Sequence, residues 1–354
     1  MQPDAAERIG EVKDHGGSLG NARLLFPHAP EPWIDLSTGI NPHSYPLFDL
    51  PATAFTRLPE PDLVTDLCGV AARAYLAPGP QNVVAAPGTQ ILLPYVMSLV
   101  RPGRAKVLGP TYAEHARAAR LAGHAVEEVE SFDALADADL AVVVNPNNPD
   151  GRIVPRVELL RLAEQLRQRG GLLIVDEAFM DVGPAGESIA GDADRRGLVV
   201  LRSLGKFFGL AGVRLGFALA EPRIAAALAS QLGPWAVSGP ALEIALRALG
   251  DLEWHESMRG RLADESARLD ALFARFGITI SGGTSLYRFF QTPDTEALFG
   301  SLGERGILLR RFAWNLQALR CGLPADEAGW RRLEDGLAAW SAAKSPGTLK
   351  EIVS

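Results

Sequence analysis

The chain has 354 residues, 47% of them hydrophobic and 22% charged, and a formal net charge of −7. That length exceeds the usual span of one compact core, so two domains of an ordinary soluble globule are expected. The acidic balance argues against nucleic acid as a partner, because no domain-wide basic face is available to neutralise phosphates.

In chain order, Lys13-Asp14-His15-Gly16-Gly17-Ser18 and Asp35-Leu36-Ser37-Thr38-Gly39-Ile40-Asn41-Pro42 precede any regular periodic pattern. A helix is expected over Asp62 to Tyr75, with Asp62 near its cap and Leu63, Leu67 and Val70 on one side. Val83 to Ala86 reads as a strand, followed by the turn Pro87-Gly88-Thr89-Gln90 and an apolar helix from Ile91. Free N–H groups at such a helix start bind phosphate. Further strands are expected at 105–108, 140–144, 172–175 and 198–201, with helical segments near 112–122 and 156–169 between them. That alternation predicts an α/β fold with a mainly parallel sheet flanked by helices on both faces.

The chemistry-bearing residues cluster at the ends of those strands. The 140–144 strand closes on Asn145-Pro146-Asn147-Asn148-Pro149-Asp150-Gly151, a turn rich in side-chain amides. The next strand is a short apolar run ending in acid, Asp176-Glu177-Ala178-Phe179, as buried parallel strands with functional carboxyl ends do. After 198–201 come Ser203-Leu204-Gly205-Lys206 and, eight residues on, Arg214. A lysine amine condenses with an aldehyde only when deprotonated, in a crowded and partly dry setting. The glycines at 205, 209, 212 and 216 let the backbone approach a flat ring, while Ser203 and Arg214 offer a hydroxyl and a guanidinium fork for its phosphate. Pyridoxal phosphate needs those groups together with an anion at its pyridine nitrogen, a position suited to Asp176.

Beyond a further strand at 215–219, Gly233-Pro234-Trp235 and Ser238-Gly239-Pro240 punctuate the chain, and Ala241 to Leu249 begins a long helical segment. Short strands are expected at 277–280, 286–290 and 306–309, and a last helix near 325–342. A large cofactor-binding domain over 46–249 is expected, with 1–45 and 250–354 forming a smaller α+β domain.

These residues resemble the aminotransferase superfamily of pyridoxal-phosphate enzymes with the aspartate-aminotransferase fold, which implies a seven-stranded type of large-domain sheet. Within it the chain looks like the histidinol-phosphate aminotransferase branch, and more narrowly the L-threonine-O-3-phosphate decarboxylase subgroup of cobalamin biosynthesis. The resemblance implies Lys206 as the cofactor lysine, Asp176 at the pyridine nitrogen, Asn148 near the ring hydroxyl and within reach of substrate, and Tyr112 stacked on the ring, with Lys206, Asp176 and Tyr112 as the catalytic set. It implies Gly88, Thr89, Ser203 and Arg214 as the phosphate cradle and Arg320 as the grip on a substrate α-carboxylate. His15 with its adjacent glycines matches a segment that folds over a substrate phosphate, and Gly39 lies in a substrate-side loop. Arg310 or Arg311 is a further candidate for that phosphate. The implied partners are a small phosphorylated amino acid and a second copy of the chain.

Two departures delete hydroxyls. Phe179 stands where many aminotransferases carry a tyrosine, and Leu58, in Arg57-Leu58-Pro59-Glu60, stands where a tyrosine reaches the neighbouring subunit's cofactor phosphate. Decarboxylation of threonine phosphate is the expected activity, with transamination of histidinol phosphate or a related substrate as the alternative; the residues alone do not separate them. Cys68 and Cys321 form no CxxC pair and fit a reduced compartment, and the six histidines show no metal-ligand spacing. Met1-Gln2-Pro3-Asp4 opens no signal segment, and no window approaches the ~20 apolar residues of a membrane span, so a cytoplasmic enzyme without metal is expected.

Overall fold

The computed structural model describes residues 16–344. Two compact units result: His43–Arg259, and the described parts of Lys13–Pro42 and Gly260–Ser354. The first strand, β1 (Ile34–Asp35), belongs to the second unit.

The larger unit is built on strands β2 (Val83–Ala86), β3 (Arg104–Leu108), β4 (Ala125–Val129), β5 (Leu140–Val144), β6 (Leu172–Asp176), β7 (Leu198–Ser203) and β8 (Gly216–Ala220). They form one seven-stranded sheet in the order β2-β8-β7-β6-β5-β3-β4. The pairs β3–β4, β3–β5, β5–β6 and β6–β7 are parallel, and β8 runs antiparallel to both β2 and β7. Every residue of β5 and β6 is buried, which is why those strands read as continuous apolar runs rather than as alternations. Leu92, Val96, Val107, Val142, Ile174 and Leu201 share one core cluster that joins the sheet to the helix Thr89–Met97.

β4 has no counterpart in the sequence reading. It is an edge strand that exposes Glu127 and Glu128, so its sequence Ala-Val-Glu-Glu-Val carries too little apolar content to announce itself. The helix expected at Asp62 begins one residue earlier, on Pro61 after Glu60, and Asp62 sits in its first turn rather than at the cap. The helical segment expected from Ala241 is two helices, Gly239–Gly250 and Leu252–Arg275, broken at Asp251.

In the second unit, β9 (Ile280–Thr284), β10 (Tyr287–Gln291), β12 (Arg310–Phe312) and β13 (Asn315–Gly322) form an antiparallel sheet ordered β12-β13-β10-β9, and β11 (Ile307–Leu308) pairs in parallel with β1. The strand expected at 277–280 starts three residues late because Gly277, with φ +71°, ends the preceding helical turn. β13 was not anticipated from the sequence, since it opens on the exposed, mixed run Leu316-Gln317 and becomes buried only from Ala318 onward. Among the described residues no helix is long and apolar enough to cross a membrane.

Candidate active site

A pocket of about 180 Å³ opens at the carboxyl ends of the central strands of the larger unit. Gly88, Thr89, Tyr112, Asn148, Asp176, Ser203, Lys206 and Arg214 all line it. Strand ends are where an open α/β sheet leaves a crevice, so residues far apart in sequence meet there.

The anion side of the pocket depends on two glycines. Gly88 has φ +87°, and a Cβ on it would stand 2.7 Å from Nη2 of Arg214. A Cβ on Gly216 would stand 2.6 Å from the backbone nitrogen of Thr89. Any larger residue at either position would displace the guanidinium or the first amide of the helix. Arg214 itself adopts a left-handed backbone, φ +56°, and donates from Nη1 to the Ala211 carbonyl at 3.0 Å. Ser203 Oγ accepts the Gly205 amide at 3.2 Å, which fixes the tight step into Lys206. Helix N-terminal amide, hydroxyl and guanidinium together make a donor set for a phosphate.

The carboxylate side is equally specific. Asp176 Oδ1 accepts the Ala178 amide at 3.0 Å, and Oδ2 lies 2.8 Å from Nε2 of the fully buried His115. The ring of Tyr112 meets His115 edge-on, with centroids 5.8 Å apart. Its hydroxyl donates to Gln90 Oε1 at 3.2 Å, and Gln90 Nε2 donates to Glu114 Oε2 at 2.8 Å. Lys206 Nζ lies 5.4 Å from the centroid of the Phe179 ring, itself 3% exposed. In the 145–151 turn, Asn145 exchanges hydrogen bonds with the Val154 backbone, and Asn147 Oδ1 accepts from Thr111 Oγ1 at 2.7 Å. Those two asparagines shape the turn, and Asn148 faces the pocket.

Of the candidate substrate residues, Asn148 lines the pocket of the larger unit, and Gly39, Arg310, Arg311 and Arg320 lie in the second unit. Arg320, 4% exposed, donates from Nη2 to the Ser37 carbonyl at 2.5 Å, and its Cζ stands 4.8 Å from the Tyr287 ring centroid. Burial pulls the Arg320 pKa down to about 10, and Arg310 pushes in the same direction. Arg310 is the cross-strand partner of Arg320 in the β12–β13 register. Arg311 instead binds both oxygens of Glu296, at 2.8 and 2.9 Å, and covers the Phe299 ring. Gly39 has φ +61° in the loop after Ser37, and Gly17 N donates to Ser37 Oγ at 2.7 Å, so the glycine segment rests on that loop. His15 lies outside the described residues.

A family model described as aminotransferase class I and II matches residues 55–323. The chain belongs to that family. The threonine-phosphate decarboxylase of Pseudomonas aeruginosa is 46% identical over 327 residues, covering 92% of this chain and 97% of the relative. Another of that name, from a Sinorhizobium species, is 43% identical over 328 residues with the same coverage of each. The crystal structure of the Sinorhizobium meliloti histidinol-phosphate aminotransferase in complex with pyridoxal-5'-phosphate superposes with a TM-score of 0.79 at 18% identity, covering 97% of this chain and 98% of that one. At that identity the likeness speaks to the fold of the family.

Three pocket-side residues escaped the sequence reading: His115, Gln90 and Glu114. Each has an ordinary surface or core explanation in one dimension. The signal available was the spacing Tyr112-x-x-His115, which sets two rings on one side of a helical turn.

Proposed function

We propose that the chain is a pyridoxal-phosphate-dependent decarboxylase of L-threonine O-3-phosphate, releasing carbon dioxide and (R)-1-amino-2-propanol O-2-phosphate, a step of cobalamin biosynthesis. The observation that carries the cofactor reading is the convergence of Lys206, Asp176 and the Thr89–Ser203–Arg214 donor set on one pocket. The two relatives named above carry the choice of reaction.

The residues fit the cofactor. The glycine-cleared cradle of Thr89, Ser203 and Arg214 would hold its phosphate, Asp176 its pyridine nitrogen, Asn148 its ring oxygen and Tyr112 one face. When bound, the cofactor supplies a protonated ring that withdraws electrons from the substrate's α-carbon. Asp176, tethered by His115 and the Ala178 amide, keeps its negative charge aimed at one point. Lys206, in the pocket beside Asp176 and Phe179, is an amine that can carry a proton to or from the substrate's Cα. Arg320 binds the α-carboxylate and Arg310 the substrate phosphate, because the planar fork suits both anions. Arg311 is already committed to Glu296. Two anionic anchors fix the orientation of the bond that breaks, and orientation rather than affinity selects decarboxylation over Cα–H cleavage.

A homodimer in the cytoplasm completes the proposal. Leu47, Phe55, Leu58 and Trp235 are all more than half exposed in the larger unit, an apolar set that a second copy would cover. Light scattering at micromolar concentration is expected to give twice the chain mass. The deciding assay is incubation with L-threonine O-3-phosphate and no oxo-acid. Carbon dioxide release without an acceptor supports the reading. Product that appears only with 2-oxoglutarate, alongside glutamate, overturns it in favour of an aminotransferase.

A further inference from the structure

We propose that a buried ion cluster, Glu177–Arg202–Asp181, is a positioning device that fixes the orientation of the strand ends carrying Asp176 and Ser203 on the floor of the pocket. Glu177 follows Asp176 at the end of β6, and Arg202 precedes Ser203 at the end of β7. Successive side chains in extended backbone point to opposite faces. Asp176 and Ser203 line the pocket, so their neighbours Glu177 and Arg202 meet on the other side of the sheet.

There Arg202 Nη1 lies 2.9 Å from Glu177 Oε2, and Nη2 lies 2.6 Å from Asp181 Oδ1. All three residues are at most 6% exposed. The guanidinium also lies 4.3 Å from the centroid of the Tyr75 ring. Glu177 accepts the Ser188 hydroxyl at 2.7 Å and the Ile189 amide at 2.8 Å, and the Asp181 carbonyl accepts Arg259 Nε at 2.7 Å. The two strand ends, the turn after β6 and the loop at Ser188 are thereby tied through one guanidinium.

A buried charge cluster is a poor source of net stability, because desolvation consumes most of the Coulombic gain. A well-packed neutral replacement would hold the fold about as well. What such a replacement would lose is directional constraint: the β6–β7 ladder, closed by the Glu177 amide on the Leu201 carbonyl at 2.9 Å, sets the strand spacing, and a fork bonded to two carboxylates fixes how the strand ends and the turn after β6 are oriented beyond it. Asp176 and Ser203 address opposite ends of the same small ligand, so a small rotation of either strand end is felt directly in cofactor binding.

This inference rests on the cofactor reading, and its test separates the two. Apo wild type and the neutralised triple variant Glu177→Gln/Arg202→Met/Asp181→Leu are compared for thermal midpoint, affinity for pyridoxal phosphate and the circular dichroism of the bound chromophore. The expected result is a midpoint within about 4 °C of wild type, affinity weakened by about tenfold or more, and an altered chromophore signal. Arg202→Lys keeps the charge but cannot bridge both carboxylates, so the same loss of affinity is expected in a variant whose fold is less challenged. Arg202→Lys or a folded triple variant that binds the cofactor as wild type does, with an unchanged signal, overturns the positioning role. A wild-type protein that takes up no pyridoxal phosphate overturns the cofactor reading itself.

Discussion

Nε2 of His115 lies 2.8 Å from Oδ2 of Asp176, and the imidazole is wholly buried. A carboxylate that faces a ring nitrogen has to be held from behind, and among the described residues His115 and the Ala178 amide hold this one. Replacing His115 by Phe fills the space and removes the donor. Turnover is expected to fall by about 10- to 100-fold, roughly 1.4 to 2.8 kcal/mol in the barrier. Asp176→Asn, which removes the charge itself, should cost more while leaving the fold intact. Rate measurements at saturating cofactor check both, and a His115→Phe enzyme as fast as wild type would show that the Ala178 amide suffices.

The same pair shows what the sequence could and could not reveal. Asp176 was legible because it ends an all-buried apolar strand, a pattern in which an acid has to be explained by function. Lys206, Ser203 and Arg214 were legible because glycine spacing gives a chemical reason for close approach. His115 was not, because a histidine three residues past a tyrosine announces nothing until the helix Glu114–Leu121 turns it under β6. For a related reason β4 and β13 went unread: β4 is largely exposed and β13 opens on exposed residues before it is buried, and pairing with β3 and β10 makes them strands. Arg310 and Arg311 are adjacent and chemically identical in one dimension. Register alone sets Arg310 opposite Arg320 and leaves Arg311 to Glu296.

Gly88 tests the anion cradle. Its φ of +87° and ψ of 155° lie in a region that essentially only glycine occupies, and a methyl there would strike Arg214 Nη2. Gly88→Ala is expected to cost about 1–3 kcal/mol of stability and to weaken cofactor binding further by moving the guanidinium. Thermal melts of the apo protein give the first quantity and titration with pyridoxal phosphate the second. A variant that loses stability but binds the cofactor normally would remove Arg214 from the cradle.

His255 predicts the acid limit of the fold. It packs against Phe207, Phe208 and Trp254, the aromatic cluster just after Lys206, and donates from Nε2 to the Ala248 carbonyl at 2.7 Å. Burial holds its pKa below the ordinary histidine value of 6.5, and the Ala248 bond only partly opposes that. A base with a lowered folded-state pKa binds its proton more readily when unfolded. Its contribution is therefore complete above pH 6.5 and is lost as pH falls from there through the folded value. His255→Phe should flatten the dependence of the thermal midpoint on pH below 6.5. An unchanged slope would assign acid sensitivity to other groups.

Arg310 and Arg311 make the sharpest comparison, because they are neighbours with opposite expected outcomes. Arg311 is 41% exposed at its side chain and bound to a Glu296 that is 76% exposed, a surface pair worth about 0–1 kcal/mol. Arg311→Ala should leave the reaction with threonine phosphate nearly unchanged. Arg310 is half-buried and stands opposite Arg320 across the β12–β13 register, so it is placed where a second anionic group of the Arg320 ligand would reach it. Arg310→Ala should therefore lower kcat/KM for threonine phosphate by at least tenfold, about 1.4 kcal/mol. Its effect on the much slower reaction of unphosphorylated threonine should be small, because that substrate has no phosphate to lose. Equal losses on both substrates would mean that Arg310 acts through Arg320 and the carboxylate. A loss confined to Arg311→Ala would move the phosphate site to the other side of β12.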